Sequence, residues 1–278
     1  DLTIADEYTT AAGLAEKLFL ETDRGRIKGL DAVFPWFDDL RGDAKKFGIP
    51  FGGGSLWMLT AKSTGFKPDS WKTFWDEKLR GKTTMDAAAF YWDLCIPAML
   101  SDKMPGIGEV FQKPADMEPL FLELEKLKMA KWYKDGAELS TLMLQDEAQV
   151  AMMYSSDAYG FMKDHGGDFD AAIPNEGTAS YTKWFMKVRG TRHGDLADLF
   201  MNYLLEKDTQ QAFLNVATDF MARSDLEAPA HWPNYPKSND DMKRLFNLFS
   251  LDGWTIFGPN WDVLDARMKE TITRTTQG

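Results

Sequence analysis

Residues 48–60 read Gly48-Ile49-Pro50-Phe51-Gly52-Gly53-Gly54-Ser55-Leu56-Trp57-Met58-Leu59-Thr60, a glycine-rich turn running into an apolar strand. Three consecutive glycines mark either close approach of the backbone to a ligand or a bend where the chain passes between lobes. No Gly-Lys-Ser/Thr follows, so the run does not form a phosphate-binding loop. Upstream, residues 1–5 (DLTIA) read as a strand, and 10–20 have helical apolar spacing with Thr9 and Thr10 as N-cap candidates. Downstream, Ser70 caps a short helix carrying Trp71, Phe74 and Trp75. A strand at 81–85 enters a helix at 86–100, and helices follow at 116–130 and 138–147. Strand 149–154 (QVAMMY) opens onto Ser155-Ser156-Asp157, a cap cluster for a helix at 157–164. Residues 170–173 lead through Pro174-Asn175-Glu176-Gly177 to a β-rich run at 181–188. Helices at 195–206 and 208–215 precede a final amphipathic helix near 261–274. Short strands alternating with longer helices predict α/β architecture with largely parallel sheets.

The 278 residues carry 32 Lys plus Arg against 43 Asp plus Glu, a net charge of −11. That balance argues against a nucleic-acid or anionic-membrane binder, because phosphate contacts need clustered cations. No apolar run approaches the roughly 18 residues of a membrane span. The single cysteine, Cys95, rules out an intrachain disulfide and cysteine-based zinc sites, and the histidines (His165, His193, His231) are too dispersed for a metal motif. Ten Trp among 13% aromatics hint at aromatic-lined ligand surfaces. DLTIA is already under way as a strand at the first residue, so an upstream piece of the domain is expected to be missing from this chain, a processed or disordered N-terminal segment being the alternative.

A search for catalytic constellations comes up empty. No GxSxG elbow occurs, and Tyr154-Ser155-Ser156-Asp157 reads as a helix cap rather than a nucleophile. The pairs Asp38-Asp39 and Asp240-Asp241 are adjacent in sequence, so their side chains diverge, as solvated faces do. Cys95, in WDLCIPAML, reads as a small buried hydrophobe. From the residues alone no catalytic role and no cofactor are therefore expected.

The order of segments resembles the periplasmic solute-binding proteins of ABC importers, particularly the spermidine/putrescine-binding branch. The likeness is carried by DLTIADEY, IPFGGGSLWML, PDSWKTFWDEKLRGKTTMDAA, QVAMMYSSDAYGFM, AAIPNEGTASYTKWFMKV and LADLFMNYLLEKDTQQAF, which together cover most of residues 1–215. Each motif is weak; their order is specific. The resemblance implies a two-lobed α/β clamp of the type II-like periplasmic-binding-protein class, with two crossover strands as hinge and the ligand in the cleft, and it implies that the family's first strand and helix are missing ahead of Asp1. It puts one lobe at 1–54 plus 185–247 and the other at 55–184, and leaves the lobe of the tail 248–278 open. It also implies a periplasmic monomer, exported with its signal peptide absent from this chain, that delivers a small-molecule solute to an inner-membrane ABC permease and binds no nucleic acid.

The ligand-contacting residues implied are Asp6, Tyr8, Gly53, Ser55, Tyr91, Tyr154, Ser155, Tyr181, Lys183 and Trp261. For the aromatic members the plain alternative is core packing. Polyamine binders pair carboxylates for the ammonium groups with aromatic faces for the methylene chain. The aromatic half of that scheme survives here. The carboxylate half is thin: Lys183 stands where that branch has an acid, and Ala87-Ala88-Ala89-Phe90-Tyr91 follows the strand at 83–86 where it has acidic residues. Asp86 and Asp157 are explicable as helix caps, which leaves Asp6. A Lys183 facing the ligand would repel a dication, so an anionic or zwitterionic solute is expected, such as an amino-acid derivative, an opine-like compound or an aminophosphonate. A polyamine is the alternative, as is Lys183 lying on the surface or in an internal ion pair. An enzyme on the same scaffold and an iron carrier are the remaining rivals, although Tyr154 and Tyr159 do not form the adjacent tyrosine pair that such carriers use.

Overall fold

The glycine-rich strand dominates the architecture. Gly48–Ala61 forms one 14-residue strand that is buried at every position, as expected where apolar and small residues leave neither face for water. The computed structural model describes residues 1–87, 114–232 and 234–276. In chain order its strands are β1 (Leu2–Ala5), β2 (Phe19–Leu20), β3 (Gly48–Ala61), β4 (Thr83–Asp86), β5 (Met129–Tyr133), β6 (Val150–Tyr154), β7 (Phe169–Ala172), β8 (Thr178–Val188), β9 (Phe220–Met221) and β10 (Phe246–Asn247). The described α-helices are α1 (Glu7–Ala15), α2 (Pro35–Arg41), α3 (Glu118–Lys126), α4 (Gly136–Leu144), α5 (Ser155–His165), α6 (Gly194–Leu204), α7 (Lys207–Leu214), α8 (Asn239–Leu245), α9 (Leu251–Phe257) and α10 (Trp261–Thr276).

The chain divides into two compact units. The first comprises Asp1–Gly54, Ser180–Arg244 and Phe249–Gly258; the second comprises Ser55–Ala179, Leu245–Leu248 and Pro259–Gly278. The chain thus passes from one unit to the other inside β3 and again inside β8. The second crossing falls at 179/180 rather than at the expected 184/185, so residues 181–184 belong with the first unit. The tail is shared: 249–258 pack with the first unit and 259–278 with the second.

In the first unit β8 pairs antiparallel with β1, Leu2 opposite Lys187 and Ala5 opposite Trp184, and with β2. β9 lies antiparallel along the glycines of β3, Gly53 opposite Phe220. The core is aromatic: Trp36 and Phe37 both pack on Phe220, at ring separations of 5.8 and 6.2 Å. Gln210 is fully buried, yet all its hydrogen-bonding capacity is used. Its amide donates to Phe51 O and Leu204 O and accepts from the Ala222 and Arg223 N–H groups, which avoids the cost of an unpaired buried amide.

In the second unit β4 lies parallel to both β5 and β6, while β3 runs antiparallel to β6 and β7. α10 buries Leu264, Met268, Thr271 and Thr275, a stripe at helical spacing. Its Arg267 donates to Glu118 and Glu125 around α3, and Trp132 Nε1–H donates to Thr275 Oγ1 at 2.8 Å.

Several local expectations change. The described ladders are mostly antiparallel, with parallel pairing confined to β4–β5, β4–β6 and β10–β8. The first helix starts earlier and ends sooner than 10–20, because Asp6, not Thr9 or Thr10, caps it: its side chain accepts from Thr9 N–H at 2.7 Å. The run 116–130 is a helix and a strand, since Leu127 turns extended after α3 and Met129 enters β5. Ser155 begins α5 rather than capping it, the cap position falling to Tyr154. The expected helix at 86–100, with Cys95 and Tyr91, lies outside the described residues beyond Ala87.

Candidate functional site

In open α/β sheets ligands favour the carboxyl ends of parallel strands, where side chains emerge past the last ladder bond. In the second unit those ends carry Asp86 on β4, Tyr133 on β5 and Tyr154 on β6. Tyr133 is spent on structure: it is buried and its hydroxyl donates to Met152 O at 2.8 Å. Tyr154 is half-buried where β6 gives way to α5.

Ser55 and Ser155 face each other beside it. Ser155 Oγ accepts the Ser55 N–H at 3.1 Å, and Ser55 Oγ accepts from Trp57 Nε1 at 3.2 Å. Both residues are buried, so this pair shapes the start of α5. Two residues on, Asp157 reaches solvent but is crowded by protein. A Cβ on Gly136, the first residue of α4, would lie 3.2 Å from the Asp157 carboxyl. Loss of hydration raises its pKa above the usual aspartate value. Among the described residues the Asp157 carboxylate has no hydrogen-bond or ion-pair partner. Its helix-cap reading therefore fails, and it stands as a carboxylate that sequence reasoning set aside.

In the first unit the glycines explain themselves by close approach. A Cβ on Gly53 would fall 2.3 Å from both Phe220 Cζ and Tyr181 O, and one on Gly54 would fall 2.3 Å from Tyr181 Oη and 2.4 Å from its Cζ. The Tyr181 ring therefore lies on the backbone at Gly54. Lys183 Nζ sits 5.7 Å from the centre of that ring and pairs with the Asp219 carboxylate. Of the alternatives open for Lys183, the internal ion pair is the one that forms, and the charge expected to repel a dication is already neutralised. Nothing in the local pattern of Thr218-Asp219-Phe220 signals that pairing.

Asp6 is committed to capping α1. Tyr8, on the exposed side of α1, meets Trp254 edge-to-face with ring centres 5.5 Å apart. Between them Glu7 turns inward, where its carboxylate accepts from Thr182 N–H at 3.0 Å and from Thr182 Oγ1. Arg41 Nη2 lies 3.4 Å from the same carboxylate. Burial pushes the Glu7 pKa up and the Arg41 pKa down, each opposed by the other's charge. Glu7 and Arg41 escaped the sequence reading because each looks like an ordinary surface residue on a short helix. Trp261 opens α10 in the second unit and is half-buried there. Tyr91 lies outside the described residues. The structure thus groups Gly53, Tyr181 and Lys183 in one unit and Ser55, Tyr154 and Ser155 in the other.

A family model described as bacterial extracellular solute-binding protein matches residues 1–239. A search of the curated proteins finds no match. Among solved structures, the substrate-binding protein PotD of a spermidine/putrescine ABC transporter from Streptococcus pneumoniae is similar, with TM-score 0.78 and 17% identity over 98% of this chain and 84% of that one. The binding protein AgtB from A. tumefaciens R10, solved with agropinic acid, gives 0.66 and 18%, covering 98% and 82%. The Atu4243-GABA receptor gives 0.71 and 15%, covering 98% and 81%. At these identities the likeness is one of fold: an α/β periplasmic-binding-protein architecture.

Proposed function

This chain belongs to the bacterial extracellular solute-binding protein family, and on that premise we propose that it is the non-catalytic, periplasmic binding component of an ABC importer for a small amine-bearing solute. The observation that carries the choice of ligand is Asp157. Asp157 is exposed yet partly desolvated, and its carboxylate has no partner among the described residues, so it is open to a charge-assisted hydrogen bond from a ligand ammonium. Tyr154 beside it supplies a ring face for cation–π contact and for methylene groups. In the first unit, Tyr181 is held against Gly54 and offers a ring face of the same kind.

In the first unit, charge constrains the solute less than the sequence suggested, because Asp219 neutralises Lys183. A polyamine thus becomes compatible with the first unit. A zwitterion is the second reading, favoured by Lys183 Nζ standing 5.7 Å from the Tyr181 ring, where a carboxylate would share it with Asp219. The solutes named for two of the similar structures, spermidine/putrescine and GABA, all carry amines, in agreement with either reading. Among the described residues no group of three His, Cys, Asp or Glu side chains converges as a metal site would, and no helix is long and apolar enough to cross a membrane.

Titration calorimetry with putrescine, 4-aminobutyrate and the amine-free dicarboxylate glutarate tests the reading. An amine is expected to bind, and Asp157→Asn to weaken it roughly 10- to 100-fold, the worth of a charge-assisted hydrogen bond. Affinity should fall as pH drops through the raised pKa of Asp157, at higher pH than for an ordinary aspartate. Binding of glutarate with neither amine bound overturns it.

A further inference from the structure

The antiparallel ladder between β1 and β8 proceeds from Leu2 opposite Lys187 to Ala5 opposite Trp184 and then stops, because Asp6 caps α1 and the chain turns helical. Two more steps would have put the backbone of residue 7 opposite Thr182. There the Glu7 side chain takes over. Its Oε2 accepts the Thr182 N–H at 3.0 Å and its Oε1 accepts the Thr182 hydroxyl. Arg41 Nη2 approaches Glu7 Oε1 at 3.4 Å and donates to Thr182 Oγ1 at 3.2 Å, while its guanidinium stands 4.8 Å from the centre of the Trp184 ring. Glu7 and Arg41 are 7% and 4% exposed.

This cluster is a poor device for stability alone. Among the described residues Arg41 Nε and Nη1 and Trp184 Nε1 are buried without hydrogen-bond partners, and buried ion pairs are often matched or bettered by apolar side chains of similar volume. What it does fix is geometry. Side chains alternate along a strand, so Thr182, pinned inward, sets the direction of Tyr181 and Lys183 on the opposite face. The same carboxylate belongs to the residue between Asp6 and Tyr8.

We infer that Glu7 and Arg41 are positioning residues for ligand recognition in the first unit, the Glu7 carboxylate replacing the missing strand at Thr182 and thereby aiming Tyr181 and Lys183. The inference rests on reading those two side chains as recognition groups. Fixing the strand in advance saves the ordering cost that a mobile Tyr181 and Lys183 would add to binding.

The test uses the whole protein and two independent readouts. The first needs no ligand: the side-chain resonances of 13C,15N-labelled lysine, with Lys183 assigned by the signal lost in Lys183→Arg. The second is calorimetry with putrescine and 4-aminobutyrate. Thr182→Val keeps the ion pair and the backbone bond but removes the hydroxyl. It is expected to move the Lys183 signal and weaken amine binding about tenfold, whereas Thr182→Ser restores both. Glu7→Gln/Arg41→Met, which removes both charges together and so avoids an unpaired one, should fold and show the same loss. Thr275→Ala, a destabilising change in the second unit that removes the acceptor of Trp132 Nε1–H, should leave the Lys183 signal in place. The inference is overturned if Thr182→Val leaves both signal and affinity as in wild type, or if affinity tracks melting temperature equally in Thr275→Ala. Should wild type bind neither amine, the ligand reading fails, and the Lys183 signal alone decides the positioning role.

Discussion

Two neighbouring glycines of β3 should respond differently to the same substitution, one in stability and the other mainly in binding. In Gly53→Ala the new methyl would lie 2.3 Å from Phe220 Cζ and from the Tyr181 carbonyl oxygen, and 2.7 Å from Phe220 Cε2. Carbon contacts settle near 3.5–4.0 Å, so the neighbours must yield by about 1 Å. The phenyl ring can shift within the core, but the carbonyl belongs to the backbone of β8 and cannot swing aside. Overpacking costs about 1–3 kcal/mol, and the rigid neighbour puts this site near 3 kcal/mol. For a unit of this size that lowers the melting midpoint by about 10 °C. In Gly54→Ala the methyl meets only the outer end of the Tyr181 ring, 2.3 Å from Oη. That ring can rotate away, so stability should fall by only about 1 kcal/mol, while putrescine or 4-aminobutyrate affinity drops roughly tenfold with the displaced ring. Scanning calorimetry and titration calorimetry on the two variants separate the effects. A Gly53→Ala midpoint within about 2 °C of wild type, or a Gly54→Ala protein that binds normally, would refute the reasoning.

Ser155→Ala removes the acceptor for the buried Ser55 N–H and should cost about 1–3 kcal/mol in urea unfolding. Glu118 is held below the ordinary glutamate value of 4.5 by hydrogen bonds from Arg267, and Glu125 likewise by Arg267 and Arg274 despite its desolvation. Depressed carboxyl pKa values stabilise the fold above the unfolded value and lose that contribution as pH falls through the folded one. The urea midpoint of wild type should therefore decline below about pH 4.5 more steeply than that of Arg267→Met. Asp219→Asn frees Lys183 from its partner and should shift the ratio of 4-aminobutyrate to putrescine affinity about fivefold toward the zwitterion; an unchanged ratio would remove Lys183 from ligand recognition.

Strands and helices with strong local signals were legible in the sequence. β6, the apolar half of β3 and residues 181–188 of β8 follow from apolar or β-rich runs, and α10 from its periodicity, whereas the glycines of β3, read as a turn, continue the strand. Met129–Tyr133 was not, because MAKWY continues the helix-forming composition of α3 and becomes a strand only by pairing with β4. The short β9 and β10 carry no pattern of their own and exist through β3 and β8. At the candidate site the tyrosines were legible as members of a motif, but the charge balance was not. Asp219 and Lys183 are 36 residues apart, and Glu7 and Thr182 are 175 apart. Such pairs are created by topology, and local spacing holds no trace of them. Asp157 shows the converse: its position at a helix start suggested a cap, whereas the backbone gave that place to Tyr154.

The pairing of β1 with β8 has a consequence for how the chain is made. Leu2–Ala5 finds its partners only at Trp184–Lys187, roughly 180 residues later, which at ribosomal rates of about 5–20 residues per second is roughly 10–40 s of synthesis. The segment Ser55–Ala179, by contrast, holds most of the second unit without interruption. On the ribosome most of the later-starting unit is made before the residues of β8 that pair with β1 appear, while α10 is added last. That delay leaves the nascent chain open to chaperones and to a secretion channel, both of which act on polypeptide that has not yet folded.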